Sequence, residues 1–529
     1  MRRRAFLAGG TAASALVAPR LAASEGARVL RFVPQADLAV LDPIWTPAYV
    51  TRNHGFLVFD TLFGQKGDYT ASPQMAAGAV PEDGGKAWTV TLRGGLRFHD
   101  GEPVLARDCV ASLQRWGKRD AFGQALMAAA DEIDAPDDRT VHFRLKRPFP
   151  LLPDALGKTG SNMPAIMPER LARTDPFTQV TEMVGSGPYR FKADERVSGS
   201  QAVYERFDGY KPREDGAPDF TAGPKVARFD RIEWRVMPDS ATAASALRNG
   251  EVDWWENPAL DLLPLLRRAR GVKVELQDPT GLIGMMRPNH LHPPFDNAGV
   301  RRAVMRAVNQ ADFMAAAGGS DPALTRTGIG VFCPASPMAN DAGMEALTGP
   351  RDLDRARREL REAGYHGERV VFLGTTDIPT INAISEVGAD LLRRLGMNVD
   401  YQAMDWGTAV QRRVKKEPPD QGGWSVAATY WSGLDVFNPA AQASLRGNGA
   451  AGWFGWPVFE RMERMRDAWL EAPDLPAQQR IAREMQAHFF EVVPYWPLGQ
   501  LFQPTALRAD LSGVLGGGLP LFWNARRGA

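Results

Sequence analysis

The sequence predicts an α/β protein with a doubly wound sheet, divided into more than one domain. Helix and strand patterns alternate late in the chain. Leu353 to Glu362 has helical spacing and stops at Gly364, Val370 to Leu373 reads as a strand, Ile381 to Leu395 as a helix stopping at Gly396, and Asn398 to Ala403 as a strand. That βαβα rhythm argues for mostly parallel strands. The length of 529 residues exceeds what one hydrophobic core usually supports. The order of segments suits an inserted domain, after which the tail returns to the first one. Pro494-Tyr495-Trp496-Pro497-Leu498 is the expected return crossover, and Leu511 to Trp523 the last strands of the first domain.

The chain opens on a targeting signal. Arg2-Arg3-Arg4-Ala5-Phe6-Leu7 contains the twin-arginine pattern Arg-Arg-x-Phe-Leu, followed by a short apolar run and the small residues Ala22, Ala23 and Ser24. The run is too short and too rich in Gly and Ala for a membrane anchor. Residues 1–23 are therefore expected to be removed, which takes away four Arg and no acid and moves the formal net charge from +1 to −3. The expected product is exported, soluble and periplasmic. With Lys+Arg 63 against Asp+Glu 62 there is no net basic field, so nucleic acid is not an expected partner. The two cysteines, Cys109 and Cys333, lie far apart in the chain, and a pairing is not readable from sequence. Cys109 falls on the apolar face of a helix, where a buried free thiol is usual.

The most distinctive stretch runs from Trp88 to Trp116. Trp88 to Leu92 alternates as a half-buried strand does, and Gly94-Gly95 and Asp100-Gly101 supply two tight turns. Pro103 then precedes a helix with Cys109, Val110, Leu113 and Trp116 on one face, ending at Gly117. Further on, Gly185-Ser-Gly-Pro-Tyr-Arg-Phe191 reads as a turn feeding a strand. Arg231 to Val236 alternates, Ala241 to Leu247 is a helix with an Asn249-Gly250 stop, and Glu251-Val-Asp-Trp-Trp255 follows. Asn289, Pro294-Phe295 and the helix from Val300 complete the series.

The order of strand, turn, His99-Asp-Gly-Glu-Pro103 and helix closely resembles the signature of the family 5 extracellular solute-binding proteins, the oligopeptide and dipeptide receptors of bacterial ABC importers. The Gly-Ser-Gly-Pro-Tyr element, the helix–Asn-Gly–Glu-Val-Asp element and the Asn…Pro-Phe…Val-Arg segment resemble others of that family, in its order. One departure is Leu105, where the family usually has a capping Thr. The resemblance implies a two-lobed periplasmic binding protein fold (type II, cluster C) with an extra subdomain in the first lobe. Lobe I would span 24–283, with the subdomain at about 60–185; lobe II would span 284–500, and 501–529 would return to lobe I. The implied function is that of a monomeric periplasmic receptor without a cofactor. It would capture a peptide, amine or modified amino-acid-like solute and deliver it to an ABC permease driven by its ATPase. A hydrolase or a signalling receptor on the same scaffold is the alternative.

Catalytic signatures are scarce. The sequence has no Gly-x-Ser-x-Gly elbow, no Ser three residues before a Lys, no His-Glu-x-x-His and no Cys-x-x-Cys. His290 and His292 lie in a Pro-rich turn without evident further metal ligands, and His99 reads as a turn hydrogen-bonder. No catalytic or metal residue is assigned.

The binding signal is the segment Gly422–Pro439, followed by Trp453-Phe-Gly-Trp-Pro457. A strand from Trp424 to Tyr430 runs into a loop at Ser432-Gly433, then into a helix expected near Asn438-Pro439. In doubly wound domains ligands bind beyond the carboxyl ends of strands, where this loop lies. Trp431 and Asp435 are the leading candidates, an aromatic face and the loop's one negative charge. Tyr430 and Phe437 flank them. Trp424 and Trp453 fit a core position as well as a ligand contact. Trp406, after Asp405, fits the same cleft or a surface turn, and Arg412-Arg413 fits a solvated helix face or a carboxylate clamp. From the first lobe, Trp45 and Tyr49 resemble positions from which relatives touch ligand. Trp255 is a further candidate, because either Trp254 or Trp255 must point inward. In the peptide-binding relatives an Asp three residues after a loop Trp holds the peptide amine. Here that register falls on Leu434, and the acid stands one place later.

Overall fold

The computed structural model describes residues 28–319 and 321–528, so the export signal read at residues 1–23 lies outside the described residues. Two large sheets organise the chain. The first has seven strands, in the order Val272–Glu275, Thr505–Arg508, Trp254–Trp255, Val29–Val33, Arg231–Arg235, Gln201–Arg206 and Tyr189–Phe191. Val29–Val33 lies at its centre and pairs in parallel with Arg231–Arg235 and Trp254–Trp255. Leu30 and Phe32 are wholly buried. The Phe32 ring meets Trp234, Trp254 and Phe522 at centroid distances of 5.4, 5.3 and 4.9 Å. This aromatic packing closes the C-terminal tail onto the first strand of the lobe.

The second sheet has six strands: Thr325–Arg326, Trp496–Leu501, Leu282–Pro288, Val426–Ser432, Arg369–Thr375 and Asn398–Met404. The expectation of mostly parallel strands needs correction. Only the Arg369–Thr375 strand makes parallel pairs, with Asn398–Met404 and Val426–Ser432, while the other three pairings are antiparallel. The crossover helix Pro379–Arg394 links the parallel pair. Leu282–Pro288 leaves the junction between the sheets and Trp496–Leu501 heads back to it, so the two must run in opposite directions.

The return path also differs from expectation. Trp496 belongs to a strand of the second sheet, and the chain crosses afterwards, between Leu501 and Thr505. The returning strand is Thr505–Arg508. Leu511–Ser512 instead makes a short hairpin with Arg526–Arg527, while Leu521, Phe522 and Trp523 pack as buried, non-strand residues. The helix expected near Asn438-Pro439 is replaced by turns and a 3₁₀ segment at Ala443–Leu445.

A four-stranded antiparallel sheet of Ala76–Glu82, Ala87–Leu92, Thr140–Leu145 and Ala130–Asp134 carries the His99-Asp-Gly-Glu-Pro103 stretch beside it. Gly95 and Gly101 take φ values of 80° and 94°, as the two turns require. The helix Ala106–Trp116 has no side-chain cap from Leu105; instead Asp108 Oδ2 accepts the Leu105 N–H at 2.8 Å. His99 joins two of the sequence motifs. Its backbone N–H donates to the Gly185 carbonyl at 2.8 Å and its Nε2 lies 3.0 Å from the Gly187 carbonyl. A Cβ on Gly185 would lie 2.0 Å from the Val58 carbonyl oxygen, so only glycine allows this approach. Burial holds the imidazole down at about 4 and therefore neutral at pH 7. The Gly187 N–H donates to the Val58 carbonyl at 2.9 Å, which fastens the end of the helix Tyr49–Val58. Both motifs build the scaffold.

Cys109 and Cys333 are both buried and free. Among the described residues no helix is long and apolar enough to cross a membrane.

Candidate functional site

The loop after Val426–Ser432 is the place where the two lobes meet. The strand pairs along its whole length with Leu282–Pro288. Gly433 donates to the Gly281 carbonyl at 2.8 Å, and a Cβ there would lie 2.3 Å from the Thr280 carbonyl oxygen. The loop is thus pinned to the crossing segment, and a turn from Ser432 to Asp435 aims the next side chain at the first lobe. Asp435 Oδ2 accepts from Tyr49 Oη at 2.8 Å. Its Oδ1 accepts from the Ser161 N–H at 2.9 Å and from Ser161 Oγ at 2.8 Å. The same Tyr49 oxygen accepts the Ser432 N–H at 2.7 Å. Burial, and then the Asp435 carboxylate, push the Tyr49 phenol well above its ordinary range, so it stays a neutral donor. Phe437 adds an apolar contact across the same junction, its ring 4.5 Å from that of Tyr69.

Behind this contact lies a cavity of about 100 Å³, walled by Arg52, Glu256 and Asp278 and closed from the second lobe by Leu282 and Ser432. Arg52 lies with its guanidinium 4.9 Å from the Tyr49 ring centroid. It donates to Asn53 Oδ1 and the Gly518 carbonyl. Glu256 accepts from the Gln35 N–H and the Asn53 carboxamide at 2.8 Å each, yet burial still pushes its carboxyl up to about 7. Burial raises Asp278 as well. A volume of about 100 Å³ admits a functional group; a whole drug-sized solute needs roughly 300 Å³ or more.

The aromatic candidates divide by environment. Trp431 is half-buried, with its ring 5.2 Å from Trp453 in an edge-on arrangement and its Nε1 without a partner. Trp453 faces the Arg287 guanidinium at 5.1 Å. Arg413 lies 4.7 Å from the Trp406 ring and 5.3 Å from Phe454. It is a buried, ring-stacked cation and does not lie on a solvated helix face. Trp406 itself opens the helix Trp406–Arg413 after the N-cap Asp405. Tyr430 packs its ring against Gly284, and its hydroxyl is buried without a partner. Trp424 takes the core option, wholly buried with Nε1 bonded to the Arg413 carbonyl at 3.1 Å. Trp45 donates its Nε1 to the Phe177 carbonyl at 2.9 Å, within the first lobe.

Trp255 requires a correction. The pair alternates the other way: Trp255 is buried in the cluster beneath the helix Ser240–Asn249, while Trp254 lines the cavity. Trp254 also donates Nε1 to Thr505 Oγ1 at 2.7 Å. The neighbouring strand Thr505–Arg508 fills that side of the sheet, and no local pattern at 254–255 announces its arrival. His290 and His292 each direct Nε2 to a backbone carbonyl, of Pro494 and Lys416. The described residues contain no group of three potential metal ligands.

Residues 70–452 match the family described as bacterial extracellular solute-binding proteins, family 5. The chain belongs to that family. It is 36% identical over 532 residues to the probable peptide ABC transporter periplasmic-binding protein y4tO of Sinorhizobium fredii, covering 99% of each chain. It is 26% identical to the glutathione-binding protein GsiB of Pectobacterium atrosepticum, over 87% of this chain and 82% of that one. Among solved structures it is similar in fold to the binding protein AgaA from A. tumefaciens R10, solved with agropinic acid. There the TM-score is 0.79 at 19% identity, covering 95% of this chain and 99% of that one. As a member of the family the chain is an extracellular solute-binding protein with two lobes.

Sequence reasoning missed Arg52, Ser161 and Glu256. One signal existed for the first. Thr51-Arg52-Asn53-His54 places four polar residues inside a short segment bounded by Tyr49-Val50 and Phe56-Leu57-Val58. A helix buried on every side that still carries an Arg must satisfy it internally or with a ligand. Ser161 sits in an irregular loop and has no local signal.

Proposed function

We propose that this chain is the periplasmic solute-capturing subunit of an ABC importer, exported by the twin-arginine route. It takes up a peptide or a modified amino-acid-like solute between its lobes and hands it to a permease driven by an ATPase. The observation that carries this reading is the Asp435 contact. An acid on the second lobe is saturated by Tyr49 and Ser161 of the first, so the junction makes and breaks as a unit. Solute entering the cleft replaces some of these contacts and bridges both lobes itself, which favours the closed arrangement. Trp431, Tyr430, Phe437 and Trp453 supply apolar faces near the loop, and Asp435 supplies the charge that meets an ammonium. The names of the relatives support peptides and glutathione as the chemical neighbourhood of the solute. The family's description as solute-binding proteins supports reading the protein as a binder.

The test is calorimetric titration of solute-stripped protein with dipeptides, glutathione and opines, with mass spectrometry of the recovered solute. One-to-one binding with the solute returned intact supports the reading. Conversion of the solute to a product overturns it.

A further inference from the structure

The cation at the back of the cleft is underused by its own protein. Arg52 is 4% exposed, and among the described residues no carboxylate lies within ion-pair distance of it. Its Nε and one terminal nitrogen are engaged by Asn53 and Gly518, while Nη1 has no hydrogen-bond partner. Three acids bias it from further away, Asp435, Glu256 and Asp278. Each already has its own donors: Tyr49 and Ser161 for Asp435, Gln35 and Asn53 for Glu256, and Thr280 for Asp278. None of them turns to the guanidinium. A buried guanidinium with one unpartnered terminal nitrogen and no paired anion is costly to keep, and Arg52 lines the interlobe cavity.

We propose that Arg52 receives a carboxylate of the captured solute, so that the protein selects carboxylic acids over their neutral derivatives. This rests on the solute-binding reading above and assigns its charge requirement. Guanidinium and carboxylate are matched in shape and charge, and the cavity of about 100 Å³ accepts a group of that size. Arg52 stands on the first lobe while Leu282 and Ser432 close the cavity from the second, so a carboxylate held there is enclosed only when the lobes meet. The lining acids Glu256 and Asp278 sit where an ammonium of the same solute would be welcome.

The experiment titrates full-length mature protein with a library of dipeptides, glutathione and opines, each as the free acid and as its amide or ester. Wild type is expected to bind the acids at least about ten-fold more tightly than the matched neutral forms. Arg52→Gln should bring the acids down to the level of the neutral forms and leave the latter unchanged, and Arg52→Lys should restore part of the difference. Equal binding of acids and neutral forms by wild type overturns the assignment to Arg52 while leaving the receptor reading intact. Discrimination that persists in Arg52→Gln overturns it too. Binding of no member of the library overturns both. The wild-type comparison decides even if the Gln variant fails to fold.

Discussion

The Tyr49 hydroxyl donates to the Asp435 carboxylate at 2.8 Å while accepting the Ser432 amide at 2.7 Å, so one phenol oxygen ties the first lobe to the second at two points. Tyr49→Phe keeps the ring beneath Arg52 and removes both bonds. At roughly 1 kcal/mol per bond, the balance between closed and open lobes should move about thirty-fold towards open. Small-angle scattering of solute-free protein should then give a larger radius of gyration for the variant. An unchanged radius would show that this phenol does not hold the lobes together.

Trp431 offers a half-buried face beside Trp453, at the end of the strand that leads to Asp435. Trp431→Ala is expected to lower solute affinity about ten-fold, close to 1.4 kcal/mol, and Trp431→Phe to lose less. Asp435→Asn should weaken amine-bearing solutes and spare those with a blocked amine. Calorimetry on protein of wild-type circular dichroism reads both. Normal affinity in both Trp431→Ala and Asp435→Asn would move the site elsewhere.

Glu256 sets a pH dependence whose sign follows from its burial. Its carboxyl titrates at about 7 in the folded protein against an ordinary 4.5. Between those values the folded protein keeps a proton that the unfolded chain has released. Stability from this group is therefore complete below about 4.5 and lost as pH rises towards 7, by roughly 3 kcal/mol in all. Glu256→Gln should thus gain on wild type as pH is raised from about 5 to about 7.5. Chemical denaturation of the pair at several pH values measures the gap, and a gap independent of pH would refute the shift.

The helix Ala106–Trp116 starts at Leu105 with extended backbone and only the reverse half of a capping box, from Asp108. Leu105→Thr supplies the missing acceptor to the first turn. It should raise stability by about 1 kcal/mol, read as a shift in denaturation midpoint with unchanged solute affinity.

Cys109 and Cys333 are buried and unpaired, and burial pushes the Cys333 thiol up to about 11. A thiol reagent should label neither in the native protein and both after denaturation without reductant. The absence of any reaction in the denatured chain would reveal a disulfide.

The legibility of this protein divides along the range of its interactions. The family resemblance, the turns at Gly95, Gly101 and Gly250, the helix with Cys109 and Trp116 inside, and the loop carrying Asp435 were readable because each depends on spacing over a few residues. The sheets were less readable. Whether Trp496 crosses or pairs, and whether Thr505 or Leu511 begins the returning strand, depends on partners more than two hundred residues away. The inward choice between Trp254 and Trp255 fell the same way, decided by the arrival of Thr505–Arg508.

By itself the sequence determined what kind of protein this is and drew attention to the loop that carries Asp435. Motif order and local backbone chemistry are written in consecutive residues. Only the tertiary structure decided what stands opposite that loop. Ser161 and Arg52, which join Tyr49 there, come from a turn and a helix far earlier in the chain. Their roles arise from burial and from which donors reach which acceptors, and a linear sequence does not record those distances.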